Sequence, residues 1–89
     1  GITSQIRRAA VSIPSNISEG YGRGHDREII HFLYIALGSA SEVETQIILC
    51  KEVGLMSVSR YDYFIESITE IIRMLSSLIN KRQQLENQM

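Results

Sequence analysis

From residue 26 onward the apolar side chains recur in alternating steps of four and three. Ile29, Leu33, Ala36, Ala40, Val43, Ile47 and Cys50 form one such set, and Tyr61, Ile65, Ile68, Ile72, Leu75 and Ile79 form another. A strand cannot hold either set on one side, because its side chains alternate every two residues, whereas a helix aligns them. Phe64, Ile71, Leu78 and Leu85 widen the later stripe to three positions in seven. That width suits a bundle helix, while a two-stranded coiled coil needs only two. The spacing predicts helices over about 26–53 and 58–85, the last fraying into Asn87-Gln88-Met89. Asp26 and Ser57 stand as their N-caps, and Gly54 as a left-handed C-cap with Leu55 placed for the accompanying apolar contact.

A first helix is expected from about Ser4 to Tyr21, with Thr3 as its cap. Ile2, Ile6, Ala9, Ala10, Ile13 and Ile17 give it a buried face, and Gly20, Gly22 and Gly24 break it. Gln5, Arg8, Ser12, Asn16 and Glu19 form an entirely polar second stripe at the same spacing. Pro14 lies mid-helix, where a missing donor typically costs about 3 kcal/mol. Ser12 and Asn16 are the nearest groups for the carbonyl freed near Ala10. Glu42 and Glu44 flank the second helix's seam. Pairing of Arg8 with Glu42, joined by Ser12, Asn16 and Glu19, would make a structural polar network that fixes helix register. The small run Ala36-Leu37-Gly38-Ser39-Ala40-Ser41 is read as a point of close helix crossing. Short loops make the helices antiparallel neighbours, so the fold class is an all-α, up-and-down helical bundle.

Eighty-nine residues make one domain, 1–89, with a limited core. A net charge of −1 excludes a whole-molecule field that would draw in nucleic acid, so any such role rests on local patches. One cysteine forms no intramolecular disulfide and fits a reducing compartment. With no secretory signal and no apolar run near 18 residues, the expected location is cytoplasmic, without membrane contact.

Catalytic chemistry finds little support, and an enzyme is not expected. Glu28-x-x-His31 has the spacing of a di-iron ligand pair, but such sites need two pairs and two further glutamates. His31 also falls away from the Ile29/Leu33/Ala36 seam, so no metal and no cofactor are expected. Cys50 continues an apolar seam and reads as a small core residue. Gly20-Tyr21-Gly22-Arg23-Gly24 follows a helix and lacks the lysine and hydroxyl of a nucleotide-binding loop.

The stretch Arg7-Arg8-Ala9-Ala10-Val11-Ser12-Ile13-Pro14-Ser15-Asn16-Ile17-Ser18-Glu19-Gly20-Tyr21-Gly22-Arg23 is more specific. Together with Phe32-Leu33-x-Ile35-Ala36-x-Gly38-Ser39-x-x-Glu42-x-Glu44-Thr45-Gln46 it resembles the four-helix-bundle proteins encoded by intervening sequences in bacterial 23S rRNA genes. The accessory variability proteins of diversity-generating retroelements are related to them. The likeness spans roughly Ile2 to Arg82. It implies one further helix upstream, missing here, and a ring of five protomers. It also implies nucleic-acid partners, since the retroelement relatives bind RNA and reverse transcriptase.

These readings converge on a non-enzymatic bacterial homo-oligomer, a pentamer by resemblance, that binds RNA or DNA through Arg7, Arg8, Arg23 and Arg27. Tyr21 would stack on an unpaired base among them. Where basic relatives carry more charge at the start of the second helix, this chain has Gly24, His25, Asp26, His31 and Tyr34, which predicts weaker binding. The alternative is a protein scaffold whose open helical groove receives a partner helix, without nucleic acid.

Overall fold

The computed structural model describes residues 1–88; the expected fraying at Met89 lies outside the described residues. Three α-helices and no strand are present among them: α1 (Ile2–Arg23), α2 (Asp26–Glu52) and α3 (Val58–Asn87). Hydrogen bonds set their direction. Ser39 of α2 bonds Ser12 of α1, and Arg82 near the end of α3 bonds Asp26 at the start of α2. Neighbouring helices therefore run antiparallel, as in a helical bundle. The principal extents are 50 × 21 × 13 Å, so the helices form a long slab.

The apolar periods place the core on α2. Leu33, Ala36 and Ala40 are almost wholly buried, with Ile29, Val43, Ile47 and Cys50 along the same face. Ala9 and Ile13 meet this face from α1, and Ile68, Leu75 and Ile79 meet it from α3. The α1 and α3 backbones pack on α2 but not on each other.

Helix ends follow local chemistry, with three corrections to the sequence reading. The first helix starts at Ile2 with Gly1 as its cap, so Thr3 lies inside it. It also continues through Gly20 and Gly22 to Arg23, and only Gly24, at φ 77°, ends it. His25 rather than Asp26 caps α2: its extended backbone places its carbonyl 2.9 Å from the Ile29 amide. Asp26 is the first helical residue, where a carboxylate still suits the positive end of the helix dipole. Ser57 caps α3 by accepting from the Arg60 amide at 3.2 Å. After α2, Gly54 (φ 79°) donates to Lys51 and Leu55 to Cys50, the paired bonds of a Schellman turn. The Leu55 side chain itself points to solvent.

The small run 36–41 does meet its neighbours, through buried Ala36 and Ala40 and through Ser39 on Ser12, but Gly38 faces outward and the approach that requires a glycine falls at Gly20. A Cβ on buried Gly20 would lie 2.8 Å from the Phe32 Cβ and 3.4 Å from the Ile29 backbone. At Gly38 a Cβ would meet nothing within 4 Å. Pro14 leaves α1 unbroken. Asn16 reaches Ser12 rather than the carbonyl of Ala10.

Candidate functional site

The candidate arginines lie at two ends of α1. Arg7 and Arg8 are in its second turn and Arg23 is its last residue, sixteen positions apart. At 1.5 Å per residue that is about 24 Å. A single contact with Arg7, Arg8, Tyr21, Arg23 and Arg27 together therefore needs an extended ligand.

At the turn end three helices converge. Arg82 of α3 donates to the Asp26 carboxylate at 3.0 Å and lays its guanidinium 5.1 Å from the centre of the Tyr21 ring. Asp26, and then Tyr21, hold the Arg82 guanidinium above its ordinary pKa, so it remains charged. Tyr21 is thus partly covered, one aromatic face being occupied by a cation. Arg23 donates to Glu19 at 2.8 Å and sits 5.3 Å from the Phe32 ring centre. Arg27 is exposed in the first turn of α2. Gln83 donates to the Tyr34 hydroxyl at 3.2 Å, adding a second tie between α2 and the end of α3. Arg82 was missing from the sequence reading. It lies fifty-six positions from Asp26, and no local pattern marks a contact of that separation.

Along α1 the polar stripe separates into parts. The Asn16 amide donates to the Ser12 carbonyl at 2.8 Å and to the Ser12 hydroxyl at 2.9 Å. The Ser39 hydroxyl donates to the same Ser12 oxygen at 2.8 Å, tying α2 to α1. Arg8, Glu19 and Glu42 do not join this cluster. Glu19 is paired with Arg23, one turn away. Arg8 and Glu42 are exposed and form no ion pair among the described residues, although both line a polar cleft of about 420 Å³ with Gln5, Ser12 and Ser39. Long side chains at a solvated edge gain little from pairing, which accounts for the difference. Glu42 instead accepts a long 3.4 Å bond from Gln46, whose buried carbonyl oxygen has no donor. Asn16→Ala should lower stability by about 1–2 kcal/mol, since bonds of this kind contribute about 0.5–1.5 kcal/mol each. Glu42→Ala should stay within about 0.5 kcal/mol, as exposed substitutions do. Equal urea midpoints for the two variants would show that the Ser12–Asn16–Ser39 cluster contributes nothing.

The third feature is apolar. Between α1 and α3 runs a groove lined by Ala10, Ile13, Pro14 and Ile17 on one wall and Phe64, Ile71, Met74 and Leu78 on the other. Val43 and Ile47 of α2 form part of its floor. Pro14 contributes a ring to the wall, so the residue that weakens the α1 ladder also extends this apolar surface. Met74 is 59% exposed there and Phe64 39%.

Among the described residues no group of three or more His, Cys, Asp or Glu is placed to hold a metal ion. His31 is exposed and meets the Phe32 ring edge-on at 5.2 Å. No helix is long and apolar enough to cross a membrane.

The profile of the family described as 23S rRNA-intervening sequence protein matches residues 1–77. A comparison with curated proteins finds none that matches.

Proposed function

Because the chain belongs to the 23S rRNA-intervening sequence protein family, we propose that it acts by binding, as a cytoplasmic homo-oligomer that holds RNA or DNA without catalysing a reaction. The observation that carries this reading is the uncovered groove between α1 and α3. Burying one large aliphatic side chain contributes about 1.5–3 kcal/mol, so covering several favours association strongly. Five protomers is the assembly that the resemblance implies. The nucleic-acid part rests on Arg7, Arg8 and Arg27, which are exposed and take part in no ion pair among the described residues. Symmetry would repeat each of them, so modest local charge becomes multivalent. Arg23 and Tyr21 contribute less to this reading, since Glu19 and Arg82 engage them.

Light-scattering mass at micromolar protein, with and without a structured RNA, tests both parts. A stable oligomer is expected, and binding should weaken steeply with salt. Each neutralised phosphate adds a slope of about 0.9 on a log–log plot for duplex DNA and about 0.7 for single strands. Arg7→Gln with Arg27→Gln should flatten that slope and leave the mass unchanged. A folded monomer would refute assembly. Failure to retain RNA or DNA at low ionic strength would replace the nucleic-acid reading with the protein-scaffold one.

A further inference from the structure

The polar cleft between α1 and α2 sets Arg8, one of the arginines of the proposed nucleic-acid contact, beside a carboxylate. It holds about 420 Å³, a size that suits a small ligand or one unit of a larger one. Arg8 comes to it from α1 and Glu42 from α2, and neither has an ion partner among the described residues. Ser12 and Ser39 tie the two helices together within it at 2.8 Å. The Ser12 oxygen accepts from both Asn16 and Ser39, which engages its two lone pairs. Its own proton has no acceptor among the described residues. The cleft therefore offers a cation, a carboxylate and a free hydroxyl proton.

The carboxylate is also held. Gln46, one turn further along α2 and only 7% exposed, donates its amide to Glu42 at 3.4 Å. The Gln46 carbonyl oxygen is left buried without a donor. An amide buried with one atom unpartnered is unfavourable, and the only side-chain bond it makes aims Glu42. Such a cleft is not built for a phosphate alone, since Glu42 would repel it. It suits a neutral group that presents donors to the carboxylate and acceptors to the guanidinium and hydroxyl.

We infer that the cleft takes an unpaired guanine of a single-stranded nucleic acid, with Glu42 as the residue that selects it. This rests on the nucleic-acid reading above and adds a base preference to it. Guanine alone among the four bases carries two neighbouring N–H donors on one edge, at N1 and N2, and a carboxylate accepts both. Its O6 and N7 accept from Arg8, the usual arginine contact to this base, and the Ser12 hydroxyl adds a donor. Adenine and cytosine set an amino group beside a ring acceptor that would face the carboxylate. Uracil places its one N–H between two carbonyls. In a duplex the N1 and N2 edge is already paired, so only a base splayed out of a single strand can use the cleft. Arg7, exposed on the neighbouring position of α1, is left for the phosphate.

Fluorescence anisotropy at low ionic strength tests this, with short labelled oligouridines that differ at one central base. The guanosine probe should bind the full chain about tenfold more tightly than the adenosine probe or plain oligouridine. Inosine, which lacks the 2-amino group, should lose most of that preference, and annealing a complementary strand should abolish it. Glu42→Gln replaces one acceptor with a donor and should bring the guanosine and adenosine probes to within about twofold of each other. A merely electrostatic Glu42 would instead change every probe by the same factor, which overturns the proposal. Equal binding of all probes by the wild-type chain overturns it too and leaves the nucleic-acid reading standing. If no probe binds, both fall. Displacement of the guanosine probe by an equal concentration of free guanosine monophosphate would assign the cleft to a free nucleotide and likewise overturns it.

Discussion

Leu75→Ala should destabilise the protein by about 2–5 kcal/mol, the usual range when a buried leucine leaves a cavity. Leu75 is 2% exposed and belongs to the cluster that joins α3 to α2. Domains of this size are stable by only about 5–15 kcal/mol, so one truncation removes a large share of the total. The flat arrangement increases the sensitivity. Because the α3 backbone packs on that of α2 and not on that of α1, no second backbone closes over the void. Glu70→Ala, on the exposed side of the same helix, should stay within about 0.5 kcal/mol. Urea unfolding of both variants checks this, with the midpoint shifted and the slope unchanged. Similar midpoints would mean that α3 does not dock through this seam.

Gly20→Ala and Gly22→Ala should move stability in opposite directions although the two residues are separated by one position. At Gly20 a methyl group would sit 2.8 Å from the Phe32 Cβ, with Ile29 backbone atoms at 3.4 Å. Neither is the far end of a flexible side chain, so α1 and α2 must move apart. Overpacking of this kind costs about 1–3 kcal/mol. At Gly22 nothing lies within 4 Å of the added atom and the backbone is helical. Alanine there should gain about 0.5–1 kcal/mol, because glycine is the more entropic residue in a helix. Thermal unfolding of the pair separates the effects. A loss at both positions would show that the turn needs glycine for its conformation alone, and a gain at both would remove the close crossing.

The two glycines also show where sequence stops being informative. Gly20, Gly22 and Gly24 read alike along the chain, as three breakers of one helix. Only Gly24 breaks it, and that much depends on its own left-handed backbone. Gly20 is required by Phe32 and Ile29, whose positions depend on how α2 lies against α1. Gly38 has the look of a crossing point because small residues surround it, yet the buried small residues are its neighbours Ala36 and Ala40, two positions away on either side. A shift of two residues turns a helix face by about 200°.

The candidate site divides along the same line. Ser12 and Asn16 are four residues apart, so helix geometry alone brings them into bonding distance. Ser39 enters the cluster from α2, twenty-seven residues away, and only packing supplies it. Arg82 on Asp26 and Tyr21 is the extreme case, since it depends on the length of two helices and the turn between them. Arg8 and Glu42 lie near each other in the cleft, but nearness at a solvated edge does not make an ion pair.

What the sequence determined by itself is the set of periodic properties. Three helices, the apolar face of each, the Ser57 cap and the left-handed Gly54 turn all depend on residues within a few positions of one another. Their energies are local, and a helix repeats its geometry so regularly that spacing alone exposes it. Tertiary structure decided which shoulders of those helices meet. It selected Gly20 as the crossing, assigned Asp26 to Arg82 and left the groove between α1 and α3 uncovered. Those outcomes depend on the rotation and offset of one helix against another, which many side chains set together and no single short stretch encodes.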